Sequence, residues 1–198
     1  MVPSLAVTVA IPVYNGWPAV LKLLPLLDTA LQKDAPNTRT RVLLLDDGSA
    51  TGPGPEWDSV RYEAIERVDI LAMRRNLGHQ RAIAVGLAYI EANLPCDAIV
   101  VMDGDGEDVP GDVPKLLARF QELGNNKAVF AMRARRTEKL SFRVFYKLYK
   151  GAHYMLTGQK VLVGNFSVIP FSLLRKLVAV SDLWNHYAAS VFKARLPV

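Results

Sequence analysis

The sequence predicts an α/β fold, a Rossmann-like arrangement with a mostly parallel central sheet and helices on both faces. Three observations carry that expectation. Apolar, β-branched runs alternate with segments of helical periodicity. A polar cluster follows each of four such runs, and 198 residues is the size of one domain that can bury a full core. Alternation of this kind favours parallel strands, because parallel neighbours need crossover connections and helices supply them.

In chain order, residues 5–11 read as a strand, 17–31 as a helix, 42–45 as a strand, 56–67 as a helix and 68–72 as a strand. Residues 80–92 read as a helix and 98–102 as a strand. A further helix is expected from Asp112, with Pro114 in its first turn and 115–123 as its body, since proline is tolerated at a helix start. Residues 127–132 read as another strand. From about Glu138 the chain reads as a basic amphipathic helix. Phe145, Leu148, Tyr149 and Ala152 lie on one side, with Arg136, Lys139, Arg143, Lys147 and Lys150 on another.

Composition narrows the function classes. Hydrophobic content of 51% and charged content of 22%, without repeats, describe a globular protein rather than a disordered or fibrous one. The longest apolar runs fall far short of the roughly 20 residues of a membrane span. The first residues lack a basic segment followed by an apolar one, so the cytoplasm is the expected compartment, with peripheral attachment at the inner face of the membrane. Cys96 is the only cysteine, which excludes an internal disulfide framework and a cysteine-based zinc cluster. Residues 133–150 hold seven basic residues and one acid, a local +6 in a chain of net +5. An anionic partner is expected there, either a membrane surface or a lipid phosphate. Nucleic acid is not expected, because no recognised binding module accompanies the charge.

The polar clusters are Pro12-Val13-Tyr14-Asn15, Asp46-Asp47-Gly48-Ser49, Arg75-Asn76-Leu77-Gly78-His79 and Asp103-Gly104-Asp105. All four sit at expected strand C-termini, outside which open α/β sheets bind their ligands. Turn formation alone would explain any one of them; four together point to one crevice.

In Asp103-Gly104-Asp105-Gly106-Glu107 the carboxylates occupy alternate positions, which an extended backbone would project to one side. Clustered carboxylates repel unless a cation compensates, and an all-oxygen set suits a hard ion such as Mg²⁺ or Mn²⁺. The EF-hand pattern fails, because Asp108 and Pro114 stand where it needs glycine and glutamate. Neither a P-loop nor a dinucleotide fingerprint is present, and no nucleophile elbow occurs. His79, His153 and His186 are too scattered for a zinc helix or a triad, and each reads as structural or exposed.

Together with Ile11 and the stretch through Asp108-Val109-Pro110, these clusters resemble, in order and spacing, family 2 glycosyltransferases. The likeness is greatest to the polyprenyl-phosphate branch of dolichol-phosphate mannose synthases and undecaprenyl-phosphate glycosyltransferases. The resemblance implies a GT-A type domain over 1–198, with a nucleotide-binding half at 1–110 and an acceptor-side half at 111–198. The chain ends at Leu196-Pro197-Val198 without the rest of an acceptor region, which reads as a shortened or minimal enzyme. Pro12, Tyr14, Asn15, Asp46, Asp47, Asn76, Gln80, Asp103 and Gly104 would bind the nucleotide sugar. Asp103, Asp105 and Glu107 would hold Mg²⁺ or Mn²⁺, and Asp105, Arg133 and Arg136 would serve catalysis at the diphosphate. The branch usually has Gln where Glu107 stands, and Gly-Asp-Phe-Arg where this chain reads Gly164-Asn165-Phe166-Ser167.

The expected reaction is metal-dependent, inverting transfer from a UDP- or GDP-sugar to a polyprenyl phosphate or another acceptor. A hydroxyl acceptor would need a general base, for which Asp182 is the candidate, although a helix N-cap suits it better. The alternatives are a degenerate nucleotide-sugar-binding module at a membrane surface and a sugar nucleotidyltransferase. The second lacks its glycine-rich, basic loop after the first strand.

Overall fold

A computed structural model describes residues 4–132 and 164–198. Six strands form one sheet in the order β3-β2-β1-β4-β6-β5. The strands are β1 (Leu5–Val13), β2 (Thr38–Asp46), β3 (Ile65–Ala72), β4 (Ala98–Val101), β5 (Val129–Phe130) and β6 (Ser167–Pro170). β1 pairs in parallel with β2 and β4, and β2 with β3. β6 runs antiparallel to both β4 and β5. The expected mostly parallel sheet is therefore present, with one antiparallel strand inserted near its edge.

Helices cover both faces because the central strands are apolar on both. Val42 and Leu44 of β2 face a core with Val20, Leu23, Leu24 and Leu27 of α1 (Trp17–Asp34). The same core takes Val113, Leu117 and Phe120 of α3 (Val113–Glu122). Leu43 and Leu45 face the other, built with Ile83, Leu87 and Ile90 of α2 (His79–Asn93). It is completed by Leu174 and Leu177 of α4 (Phe171–Val178) and by Tyr187 and Val191 of α5 (Tyr187–Lys193).

The helix expected at 56–67 does not form. A single 3₁₀ turn covers Pro55–Ser59, and β3 already begins at Ile65. Trp57 packs edge-to-face on Trp17, with ring centroids 6.0 Å apart. The buried carboxylate of Asp28 on α1 accepts the consecutive backbone N–H groups of Glu63, Ala64 and Ile65 at 2.8–3.2 Å. Those donors are thereby taken out of any helical ladder, and a side chain distant in sequence decides the local structure. The strand expected at 127–132 shortens to the two residues of β5. Arg133, Arg136 and the basic helix expected from Glu138 to Lys150 lie outside the described residues, as does His153.

Candidate functional site

β1, β2, β3 and β4 end at Val13, Asp46, Ala72 and Val101, so each of the four polar clusters leaves a strand C-terminus, as the sequence predicts. Specific bonds join the first three loops. Asn15, at φ 52°, accepts the N–H of Ala50 through its Oδ1 (2.8 Å), while its own N–H goes to Ser49 Oγ (2.9 Å). Asp46 Oδ1 accepts from the Ser49 N–H at 3.0 Å, closing a turn. Asp47 is only 2% exposed, and its two carboxylate oxygens accept from Leu77 N–H (2.7 Å) and Gly78 N–H (2.9 Å). Gly48 lies at φ +73°, and a Cβ there would come 2.5 Å from the carbonyl carbon of Arg75. Asp47 and Gly48 thus fasten the second loop to the third.

Pro12 is buried beneath the crevice, Tyr14 stands 55% exposed, and Asn76 is exposed. Gly104 passes close over the first strand: its missing Cβ would lie 3.0 Å from Ile11 Cγ2 and 3.1 Å from Pro12 O.

The acidic run is a turn rather than an extended segment. Gly106 takes φ +87°, Asp105 Oδ1 accepts the Glu107 N–H (2.9 Å), and buried Asp108 accepts the Asp103 N–H (2.8 Å). The carboxylates therefore do not line one side as alternate strand positions would. Asp103 is the most enclosed of the three carboxylates expected from sequence to hold a metal, its side chain 14% exposed, whereas Asp105 and Glu107 are exposed. Among the described residues no three carboxylate, imidazole or thiol side chains converge into a cage for a cation.

Two residues given no part in this site by the sequence reading complete it. His79 Nε2 lies 3.1 Å from Asp103 Oδ1, and the Asn165 amide nitrogen lies 3.0 Å from the same imidazole nitrogen. That amide is also 3.4 Å from Asp103 Oδ1. The hydrogen bond to Asp103 raises the His79 pKa above its ordinary value; the charges of Asp103, Asp105 and Asp47 add to this and burial opposes it. Negative charge from these carboxylates therefore gathers around the imidazole. The oxygen donors of Asp103 and Asp105 are of the kind that a hard divalent cation takes. The signal for His79 was its place at the start of a helix following a strand-end loop.

Gln80 Oε1 accepts the Tyr187 N–H at the start of α5 (2.7 Å), and its Nε2 donates to Asn165 Oδ1 (3.3 Å). Asp182 does not cap a helix with its side chain, which pairs with Lys193 at 2.7 Å. His186 caps α5 instead, its Nδ1 accepting from Ala189 N–H at 3.3 Å.

This arrangement coincides with a known family. Residues 8–178 match the model for glycosyl transferase family 2, and the chain belongs to that family. Among curated proteins it is similar to undecaprenyl-phosphate 4-deoxy-4-formamido-L-arabinose transferases from Salmonella choleraesuis and Salmonella typhimurium. Each is 28% identical over 120 residues, covering 61% of this chain and 35% of the relative. The chain thus spans about a third of the length of the relatives it matches.

Solved structures share the fold. The mannosyltransferase PcManGT from Pyrobaculum calidifontis, in complex with GDP-Man and Mn²⁺, aligns at TM-score 0.60 and 16% identity, over 95% of this chain and 51% of that one. TarS 1-349 of S. aureus, in complex with UDP-GlcNAc, aligns at 0.53 and 16%, over 86% and 46%. Glucosyl-3-phosphoglycerate synthase from Mycobacterium tuberculosis aligns at 0.54 and 17%, over 87% and 59%. The architecture is therefore that of GT-A glycosyltransferases. No helix among the described residues is long and apolar enough to cross a membrane.

Proposed function

We propose that the protein transfers a sugar from a UDP- or GDP-sugar to a polyprenyl phosphate, using Mg²⁺ or Mn²⁺. The observation that carries this is the meeting of Asp103, His79 and Asn165 at 3.0–3.4 Å beside three loops pinned together by Asp47 and Asn15. Family membership and the undecaprenyl-phosphate relatives support the acceptor. The first, second and third loops form the nucleoside end of the crevice, with Tyr14 exposed for stacking and Asp46 at its wall. Gly104, where a Cβ would press on Ile11 and Pro12, lets the acidic turn lie close against the sheet end beside which the diphosphate would bind.

A divalent cation held by Asp103 and Asp105 would act as a Lewis acid on the diphosphate. His79 hydrogen-bonds Asp103 and offsets part of the charge on that carboxylate. In the transfer, the bond from the anomeric carbon to the diphosphate oxygen breaks and one to an acceptor oxygen forms. The nucleoside diphosphate leaves with the bonding electrons, and the anomeric configuration inverts. A lipid phosphate is already anionic at neutral pH, so the step needs no general base from the protein. Arg133 and Arg136 would share the leaving-group charge, and residues 133–150 would meet the anionic membrane at its inner face.

Titration of UDP-GlcNAc, UDP-Glc and GDP-Man with Mn²⁺ or Mg²⁺, followed by nucleoside diphosphate release with and without undecaprenyl phosphate, tests the reading. Metal-dependent binding with acceptor-dependent release is expected. Binding with no release for any donor would instead favour a binding module.

A further inference from the structure

The geometry points to Gln80 and Asn165 as positioning residues: a directed relay from the start of α5 that aims an amide N–H at the Asp103 carboxylate, beside His79. This rests on the proposed function for its role but on the hydrogen bonds for its direction. A backbone N–H can only donate, so the Tyr187 N–H at 2.7 Å requires the near atom of the Gln80 amide to be oxygen. Gln80 therefore presents its nitrogen to Asn165, whose near atom at 3.3 Å must be the carbonyl oxygen. Asn165 is left with its nitrogen toward Asp103 Oδ1 (3.4 Å), beside His79 Nε2 (3.0 Å), which donates to the same carboxylate oxygen and so offers the amide no acceptor. One fixed backbone donor sets the sense of every bond along the line.

A second path from the same residue holds Asn165 from behind. Ser167 Oγ donates to the backbone carbonyl of Asn165 at 2.8 Å, so the Tyr187 hydroxyl, 2.6 Å away, donates to Ser167 Oγ. Tyr187 and Ser167 are fully buried, and Asn165 is 9% exposed. Tyr187 thus grips Asn165 through its backbone N–H on one side and its phenol on the other, closing a ring of hydrogen bonds. Through that ring the placement of α5, distant in sequence, is communicated to the carboxylate expected to face the diphosphate.

Gln80→Glu keeps the shape and the acceptor for Tyr187 N–H but cannot donate to Asn165, so the Asn165 amide should turn over and face Asp103 with oxygen. Expected are an unchanged thermal midpoint and a loss of about tenfold in Mn²⁺-dependent UDP or GDP binding. In an Asn165→Leu background the same substitution should cost nothing further, because no amide remains to turn. Additive effects in that cycle, or a Gln80→Glu protein that binds Mn²⁺ and nucleotide like the parent, would overturn the relay. NMR of the metal-free protein reads it without any nucleotide. Nuclear Overhauser contacts between the Asn165 amide protons and the His79 ring should be present in the parent and lost in Gln80→Glu; their persistence would overturn the relay. A parent protein that binds neither UDP nor GDP with Mn²⁺ would sink the proposed function and leave this NMR test standing.

Discussion

The two ends of the crevice are built from different kinds of bond. At the end built on the first three loops, side-chain oxygens of Asp46, Asp47 and Asn15 accept backbone N–H groups of their own or a neighbouring loop at 2.7–3.0 Å. At the acidic end Asp105 and Asp108 close the turn on backbone N–H groups in the same way, but side chains also meet side chains: His79 with Asp103, Asn165 beside both, Gln80 with Asn165. A backbone donor has no other orientation to adopt, so the first end is set when the chain folds. Side-chain pairs can exchange partners when a ligand or cation arrives, so the second end can respond. The difference separates scaffold from chemistry within one row of strand-end loops.

Asp47→Ala should break the comparison most severely, because two N–H groups lose a buried, charged partner. A loss of roughly 4 kcal/mol in stability is expected, read from denaturant midpoints, with nucleotide binding falling alongside. Gly48→Ala should cost about 3 kcal/mol, from the left-handed backbone and the collision with Arg75, with the same parallel loss of binding. Asp105→Ala should do the opposite. Its carboxylate is exposed, so the melting temperature should hold while metal-dependent nucleotide binding falls by at least about tenfold. Unchanged metal dependence would remove Asp105 from the site.

The smallest effect is the most diagnostic. His79 is raised above its ordinary pKa in the fold, so its protonated form is the one favoured by folding. Its contribution is complete below the unfolded value of about 6.5 and is lost as pH climbs through the higher folded value. Titration of its ring resonances should give a midpoint above that value. Asp103→Asn should bring the midpoint down, since the leading cause is removed, and Mn²⁺ should lower it in the parent. A midpoint indifferent to Mn²⁺ would detach the cation from Asp103.

Much of this was legible in the sequence, and most of the failures share one cause. Strand ends and polar loops are local signals, so β1, β2, β4 and the four clusters lie where periodicity puts them. The segment 56–67 carried a helical pattern, yet Asp28, on another element, captured its backbone donors. Asp182 reads as a cap, but Lys193, eleven residues on, claims its carboxylate. His79 and Asn165 stand 86 positions apart and reach each other only because β6 runs antiparallel beside β4. The alternate carboxylates of 103–107 suggested an extended run, whereas Gly106 and the Asp108 bond fold it into a turn. Partners remote in the chain, absent from any local window, decided all of these but the last, where the left-handed Gly106 and the nearby Asp108 overrode an alternation that reads equally as strand.

The grip of Asp28 on the entrance to β3 reaches beyond local geometry. The β2–β3 pairing slips by one residue between Thr40 and Arg41, beside the point where Asp28 holds Ile65. The edge strand therefore takes its starting point from a helix instead of from the connection that precedes it. That connection is relieved of any duty to measure distance, so the stretch between Thr51 and Gly54, beyond the bonds that tie Ala50 to Asn15 and Thr51 to Trp17, could be lengthened, shortened or replaced by a foreign peptide without moving the crevice. Variation in loop length would accumulate there at little cost, and a tag or reporter would be best inserted there.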